Sequence, residues 1–339
     1  MEDRIAAYLQ TKLPAAEVRV SNLSRIPGGA SRETWMFDAA WDSEGGEQSQ
    51  AFVVRIDPPA SLLETDREAE FAFYSSFWGT SVPVPRMRWL EADGGILGGP
   101  FFIMDRVLGC EGSTRAPQAP PFLAAQPELA RNLYEILGAI ATFDWQDAPC
   151  AKVAEAPTVE TAWRKELDHW EGIITAQELS PQPIMRAAIR WLRANPPPPA
   201  QRISVVHGDY RVGNFLYRED GSIHAIVDWE MAHLGDPIED LAWSFNESWQ
   251  WANKDGRPGG IVERTKAIEI WERASGLRAD PAAVHWWDVF TNVKCQGIWI
   301  TGARSFQEGR SNELMLAVIG HSLTNNQVQA LLRTMGRAP

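Results

Sequence analysis

Residues 207–214 read His-Gly-Asp-Tyr-Arg-Val-Gly-Asn, and a second acid, Asp228, closes the apolar run 223–227. The set is Asp209, an amide five residues on at Asn214, and Asp228 at the end of a hydrophobic stretch. Those residue types in that order suit phosphoryl transfer. The reaction needs a carboxylate to accept the proton of the acceptor hydroxyl, and oxygen ligands for the Mg²⁺ that neutralises the phosphates. Asp209 is the candidate base, and Asn214 and Asp228 are the candidate metal ligands. Taken singly, Asp, Asn and Gly are ordinary turn formers. The conjunction, joined to a hydrophobic strand that ends in an acid, carries the chemical reading.

The flanking sequence says how these groups are positioned. Val205-Val206 ends a short apolar strand, Gly208 allows a tight turn, and Asp209 is held at the mouth of the loop that follows. The run ending at Asp228 is the other half of a hairpin, which sets two metal ligands at neighbouring strand ends with the base one loop away. Upstream, 18–26, 33–37 and 51–56 read as three strands, 62–77 as a helix with Leu62, Ala69, Phe73 and Phe77 on one stripe, and 101–104 as a further strand. Beyond the Gly- and Pro-rich stretch 109–121, helical periodicity dominates at 129–143, 161–174, 184–192, 261–274, 284–300 and 314–332. The Pro-rich run 195–200 connects one helix to the strand before His207. The expected fold is α+β, with a small sheet-plus-helix part over 1–108 and a larger helical part over 109–339.

The segment 207–214 resembles the catalytic loop of the aminoglycoside phosphotransferase and choline kinase-like enzymes. Ile226-Val-Asp228-Trp-Glu is similar to their metal-binding strand end, and Gly235-Asp236-Pro237 with Asp240-Leu-Ala to the segment that follows. The resemblance runs in order along most of the chain. It implies a two-lobed protein-kinase-like fold, a nucleotide-binding N-lobe, and a helical C-lobe carrying the catalytic loop and the acceptor site. It also implies ATP or GTP as donor, Asp209 as base, and Asn214 and Asp228 as Mg²⁺ ligands. His207, Asp236 and Asp240 are expected to organise the site rather than touch substrate. Within 101–107, which is similar to the strand and hinge that meet the adenine, Met104, Asp105 and Val107 are the nucleotide-side candidates.

A kinase fold normally carries a lysine on its third strand, paired with a glutamate of the next helix. No lysine occurs between Lys12 and Lys152. Arg55 stands in that position with Glu68 as its expected partner; a permanently charged fork keeps the electrostatic role with a changed geometry. A surface arginine on an edge strand is the alternative. Gly28, Gly29 and Ser31, between the first two strands, form either a phosphate cradle of backbone N–H groups and a hydroxyl or a plain hairpin turn.

A chain of 339 residues with 45% hydrophobic content can bury a large core. A net charge of −12 disfavours nucleic acid and anionic membrane as partners. No apolar run reaches the ~18 residues of a membrane span. Cys110, Cys150 and Cys295 are too few and too scattered for a disulfide framework; with a start lacking signal-peptide layout, the expected home is the cytoplasm. Most of the sixteen tryptophans are expected in the core. The remaining partner is a small molecule with a hydroxyl. An aminoglycoside is a polycation and calls for clustered carboxylates, yet residues 240–339 hold ten acidic and eleven basic residues against 34 and 21 in the rest. The segment around Lys294, Gln296, Trp299 and Arg304 is similar to the branch that includes hydroxyacyl-CoA kinases. That favours a hydroxyacid or hydroxyacyl-CoA, met by Lys294, Gln296 and Arg304 in one cleft, with Trp299 a further substrate-binding candidate. Antibiotic phosphorylation and nucleotide binding without turnover are the alternatives.

Overall fold

The computed structural model describes residues 1–26, 33–43, 45–57, 66–250, 256–311 and 314–337. Gly28, Gly29 and Ser31 lie outside them. Helix α1 (Glu2–Lys12) leads into β1 (Val18–Arg25), β2 (Glu33–Ser43) and β3 (Gly46–Ile56), then α2 (Arg67–Phe77), β4 (Met87–Glu91) and β5 (Phe101–Asp105). The strands form one antiparallel sheet in the order β1-β2-β3-β5-β4. The β2–β3 hairpin is longer than expected, since Asp38↔Ala51 to Ser43↔Gly46 continue the pairing through polar residues. Strand β4 and helix α1 were not expected. Both have short apolar patterns, and their burial comes from packing on this sheet.

Alternation along β3 decides which side chains meet the rest of the molecule. Phe52, Val54 and Ile56 enter the cluster that holds Ile5 and Leu9 of α1. Val53 joins the other core with Phe73 and Phe77 of α2, and Arg55 shares the face of Val53. Because β3 lies inside the sheet, Arg55 is buried rather than a surface residue of an edge strand.

The second part is mainly helical: α3 (Gln126–Thr142), α4 (Ala162–Gln177), α5 (Pro183–Ala194), α6 (Ile238–Phe245), α7 (Arg264–Ser275), α8 (Pro281–Gln307), α9 (Leu314–Val318) and α10 (Thr324–Thr334). Helix α8 is buried all round and packs against α4, α5, α6 and α10. The single helix expected over 314–332 is instead α9 and α10 joined by a π-helical turn at Ile319–Leu323. No helix of the described residues is long and apolar enough to cross a membrane. Trp229, Trp243, Trp271, Trp286 and Trp287 are fully buried, as the tryptophan content led one to expect.

Two short ladders sit where the two parts meet. Strand β6 (Ser204–Val206) pairs with β9 (His233–Gly235), and β7 (Phe215–Tyr217) with β8 (Ile223–Ile226). Between β6 and Asp209, Gly208 adopts φ +82° with its α-carbon against the Met231 carbonyl oxygen, where a methyl group would collide. Gly208→Ala should therefore distort the loop. Thermal melting should reveal a clear loss of stability, and any residual activity should fall even in the folded fraction.

Candidate active site

The loop that carries Asp209 is anchored from below by Asp240 on α6. One Asp240 oxygen accepts the His207 backbone N–H at 2.6 Å and the other accepts that of Gly208 at 2.9 Å. Burial, aided by neighbouring Glu239, pushes the Asp240 carboxyl up to about 7. His207 Nδ1 accepts the Asp209 N–H at 3.1 Å and its Nε2 lies 3.0 Å from the Val227 carbonyl oxygen. This fixes the tautomer with the proton on Nε2. Burial lowers its pKa to about 4, so the ring is a neutral brace between the loop and the hairpin.

Asp209 faces three donors. Its Oδ1 accepts Arg211 Nε at 2.9 Å and Trp243 Nε1 at 2.8 Å, and its Oδ2 accepts Asn214 Nδ2 at 2.6 Å. The amide orientation of Asn214 is thereby set, because the same nitrogen also donates to the Asp209 carbonyl at 2.9 Å. Its side-chain oxygen Oδ1 has no donor among the described residues. The Val227 N–H donates to Asn214 O at 2.8 Å, so Asn214 and Asp228 flank the same end of the β7–β8 hairpin.

Asp228 takes a left-handed backbone (φ +71°, ψ +55°), uncommon for a residue with a side chain. Its N–H is held by Tyr74 Oη at 2.7 Å. Arg55 then ties it to the sheet and to α2: Nη2 donates to Asp228 Oδ1 at 2.8 Å, Nη1 to Glu70 Oε1 at 2.9 Å, and Glu230 Oε2 lies 3.6 Å from Nη2. Burial would raise the Asp228 pKa, but Arg55 and Arg211 more than reverse this and lower it.

Comparison with known proteins gives the family and the fold. The sequence model of the phosphotransferase enzyme family matches residues 22–285. The chain belongs to that family. Among solved structures, a Ralstonia eutropha JMP134 protein with the provisional name aminoglycoside phosphotransferase is similar over 99% of this chain and 98% of its own (TM-score 0.76, 21% identity). The aminoglycoside phosphotransferase APH(4)-Ia, solved with AMP-PNP and hygromycin B, is similar over 97% and 98% (TM-score 0.63, 17% identity). These likenesses establish the two-lobed kinase-like fold. In sequence, acyl-CoA dehydrogenase family member 10 of Mus musculus is 27% identical over 250 residues, 72% of this chain and 22% of its own length. Family member 11 of Gallus gallus is 25% identical over 198 residues, 58% of this chain and 25% of its own length. The chain thus spans about a quarter of those relatives.

Two groups of expected residues lie elsewhere than anticipated in this phosphotransferase. Glu68 is exposed in the first turn of α2, where its N–H is capped by Asp66, and Glu70 takes the partnership with Arg55. Glu70 shares the helical stripe of Phe73 and Phe77, a pattern readable in the sequence. Lys294, Gln296, Trp299 and Arg304 do not line one cleft. Lys294 is buried against Glu239 at 2.9 Å and the Gly208 carbonyl at 2.7 Å. Gln296 donates to Gln182 and Thr324, Trp299 to Gln327, and Arg304 pairs with Glu308. Met104, Asp105 and Val107 follow each other out of β5, with Asp105 held by Arg88 at 2.6 and 2.9 Å. Asp236 accepts the first free N–H of α6, from Ile238, and the Trp287 indole N–H, each at 3.0 Å; burial pushes it up to about 6.

Sequence reading missed Arg211, Trp243, Glu70 and a buried charge cluster beneath the loop. In that cluster His233 Nε2 lies 3.1 Å from Glu239 and 3.4 Å from Glu166, and its Nδ1 lies 3.0 Å from the Met231 carbonyl. Trp243 sits three residues after Asp240, one helical turn along the same face. The cluster partners come from α4, α6, α8 and β9, and no local pattern announces them.

Two outcomes follow. Glu70→Ala removes one of the three carboxylates around the buried Arg55 guanidinium and should cost about 1.5–3 kcal/mol in denaturant unfolding, whereas Glu68→Ala should stay within about 0.5 kcal/mol. Equal effects would refute the Glu70 pairing. Burial lowers the His233 pKa, but Glu166 and Glu239 carry it from 6.5 up to about 9. Its contribution is thus full below pH 6.5 and is lost as pH rises through about 9. His233→Gln should flatten the decline of melting temperature across that window.

Proposed function

We propose that this phosphotransferase transfers the terminal phosphoryl group of ATP to a hydroxyl of a small molecule, with Mg²⁺. The observation that carries the reading is the convergence of Asp209, Asn214 and Asp228 at one hairpin end, with Arg55 bound to Asp228. Asp209 is the carboxylate to which the acceptor hydroxyl delivers its proton. Asn214 and Asp228 fit a hard divalent cation. The Asn214 amide is turned so that its nitrogen serves Asp209 and its oxygen is left over, and Asp228 uses Oδ1 for Arg55 and keeps Oδ2. When bound, the cation supplies charge neutralisation of the phosphates. Arg211, 2.9 Å from Asp209, stands where negative charge gathers during transfer. AMP-PNP bound to APH(4)-Ia supports an adenine nucleotide as donor. GTP is the alternative donor. The backbone leaving β5 at Met104, Asp105 and Val107 is the proposed adenine contact, with the lobes dividing near residue 108.

For the acceptor we favour a hydroxyacid or its acyl-CoA thioester. The names of relatives in the acyl-CoA dehydrogenase family support an acyl-CoA context. A polycationic aminoglycoside is the second reading, favoured by the names of the structural neighbours and opposed by Arg211 beside the base. Three free cysteines accord with a reducing cytoplasm. The carboxylate test is Asp209→Asn. Turnover should fall roughly 10²–10⁴-fold while nucleotide affinity changes little. Near-normal turnover in a folded variant would remove Asp209 from the role and, with it, this mechanism.

A further inference from the structure

A cavity of about 830 Å³ lies between the segment 245–250 and helices α8 and α10. Its lining includes Trp249, Gln250, Thr291, Asn292, Trp299 and Gln327. We propose that it receives an uncharged part of the acceptor, rich in hydroxyl or amide groups. The inference rests on the phosphotransfer reading above and adds to it where and by what chemistry the acceptor is held.

Three observations carry it. The first is composition: the buried polar groups are neutral amides and a hydroxyl, already ordered among themselves. Gln327 Nε2 donates to Asn292 Oδ1 at 2.6 Å, and its Oε1 accepts Ser248 Oγ at 2.8 Å and Trp299 Nε1 at 3.4 Å. Such a network holds fixed donor and acceptor directions for a ligand. The second is Gln250, 4% exposed, whose side-chain amide makes no hydrogen bond to any described residue although it lines the cavity. That amide opens onto the cavity, so a ligand bearing hydroxyl or amide groups finds both a donor and an acceptor there.

The third observation is charge. The charged side chains at this cavity are paired with each other, Arg264 with Asp288 and Arg333 with Glu247, each at 2.6 Å. Paired in this way they leave the cavity with little net charge to attract a ligand group of either sign, whereas a neutral group meets indole faces and amides. The cavity also starts one indole from the base. Trp249 lies 5.1 Å, centroid to centroid, from Trp243, which donates to Asp209 at 2.8 Å, and the Arg211 guanidinium lies 4.6 Å over the Trp249 ring. Two kinds of acceptor carry such a neutral stretch: the pantetheine arm of a thioester, and a glycoside or polyol.

The test uses the full chain and its tryptophan fluorescence, since Trp249 and Trp299 face the cavity. D-pantetheine and methyl α-D-glucopyranoside are titrated beside the charged analogues D-glucosamine and D-glucuronate, with AMP-PNP titrated separately. One neutral probe should bind about tenfold tighter than both charged sugars, and which one identifies the source. Gln250→Leu should weaken that probe about 3- to 10-fold, the worth of one hydrogen bond, and leave AMP-PNP affinity unchanged. If the leucine variant does not fold, the near-isosteric Gln250→Glu serves: it should weaken the neutral probe and improve glucosamine. Charged sugars binding as well as the neutral probes, neutral probes failing to bind, or indifference to both Gln250 variants would each overturn the proposal. Neutral-probe binding in a chain that does not bind AMP-PNP would sink the donor reading and leave the cavity assignment standing.

Discussion

The Arg55 guanidinium holds three elements at once. One nitrogen meets Glu70 of α2 and the other meets Asp228 and Glu230 beyond β8, so the sheet, its helix and the hairpin of the larger part share one buried cation. Taking that cation out of water is costly, and the three carboxylates around it make the burial tolerable. The position of Asp228 therefore depends on the placement of a helix some 150 residues earlier in the chain. The lysine usual at this place is a point charge with three rotating donors, whereas arginine's planar fork addresses two carboxylates in fixed directions. The fork suits a site where the acid beside the phosphates and the helix acid must be held together.

A second set of buried charges supports the other side of the loop. Lys294 joins the Gly208 carbonyl to Glu239, and Glu239 continues to His233 and Glu166. Burial alone would raise the Glu239 pKa, but Lys294 and His233 bring it down to about 2. Asp240, next in sequence, instead uses two backbone N–H groups and is carried up to about 7. Adjacent acids on one helix thus play opposite parts, one ionised among cations and the other a hydrogen-bond anchor. Asp209 rests on this frame, and its rigidity lets three donors converge on one carboxylate.

Much of the fold was legible because its elements carry their own periodicity. Strands β1 to β3 and β5 and most of the long helices appear near their expected places, and the glycine of 207–214 is where a positive φ is required. Glu70 was legible too, since it lies on the stripe of Phe73 and Phe77; choosing Glu68 ignored the helix face. Lys294 was not legible. A lysine in the middle of an apolar helix is equally compatible with a cleft and with a buried pair, and only the position of Glu239 distinguishes them.

By itself the sequence determined the candidate parts: the acids Asp209 and Asp228, the amide of Asn214, a cation on the third strand, and the elements that bear them. These follow from residue type and from short-range spacing, which act within a few residues of chain. Tertiary structure alone decided which charges neutralise each other and which polar groups remain for a ligand. Arg55 and Asp228 are separated by 173 residues, Lys294 and Gly208 by 86. Gln250 is set apart by its burial at the cavity, with no hydrogen-bond partner for its side chain among the described residues. Pairing across such distances depends on the packing of α2, α6 and α8, which no local pattern encodes. The proposed catalytic groups were therefore readable from the sequence, and the chemistry of the cavity beside them from the packed structure.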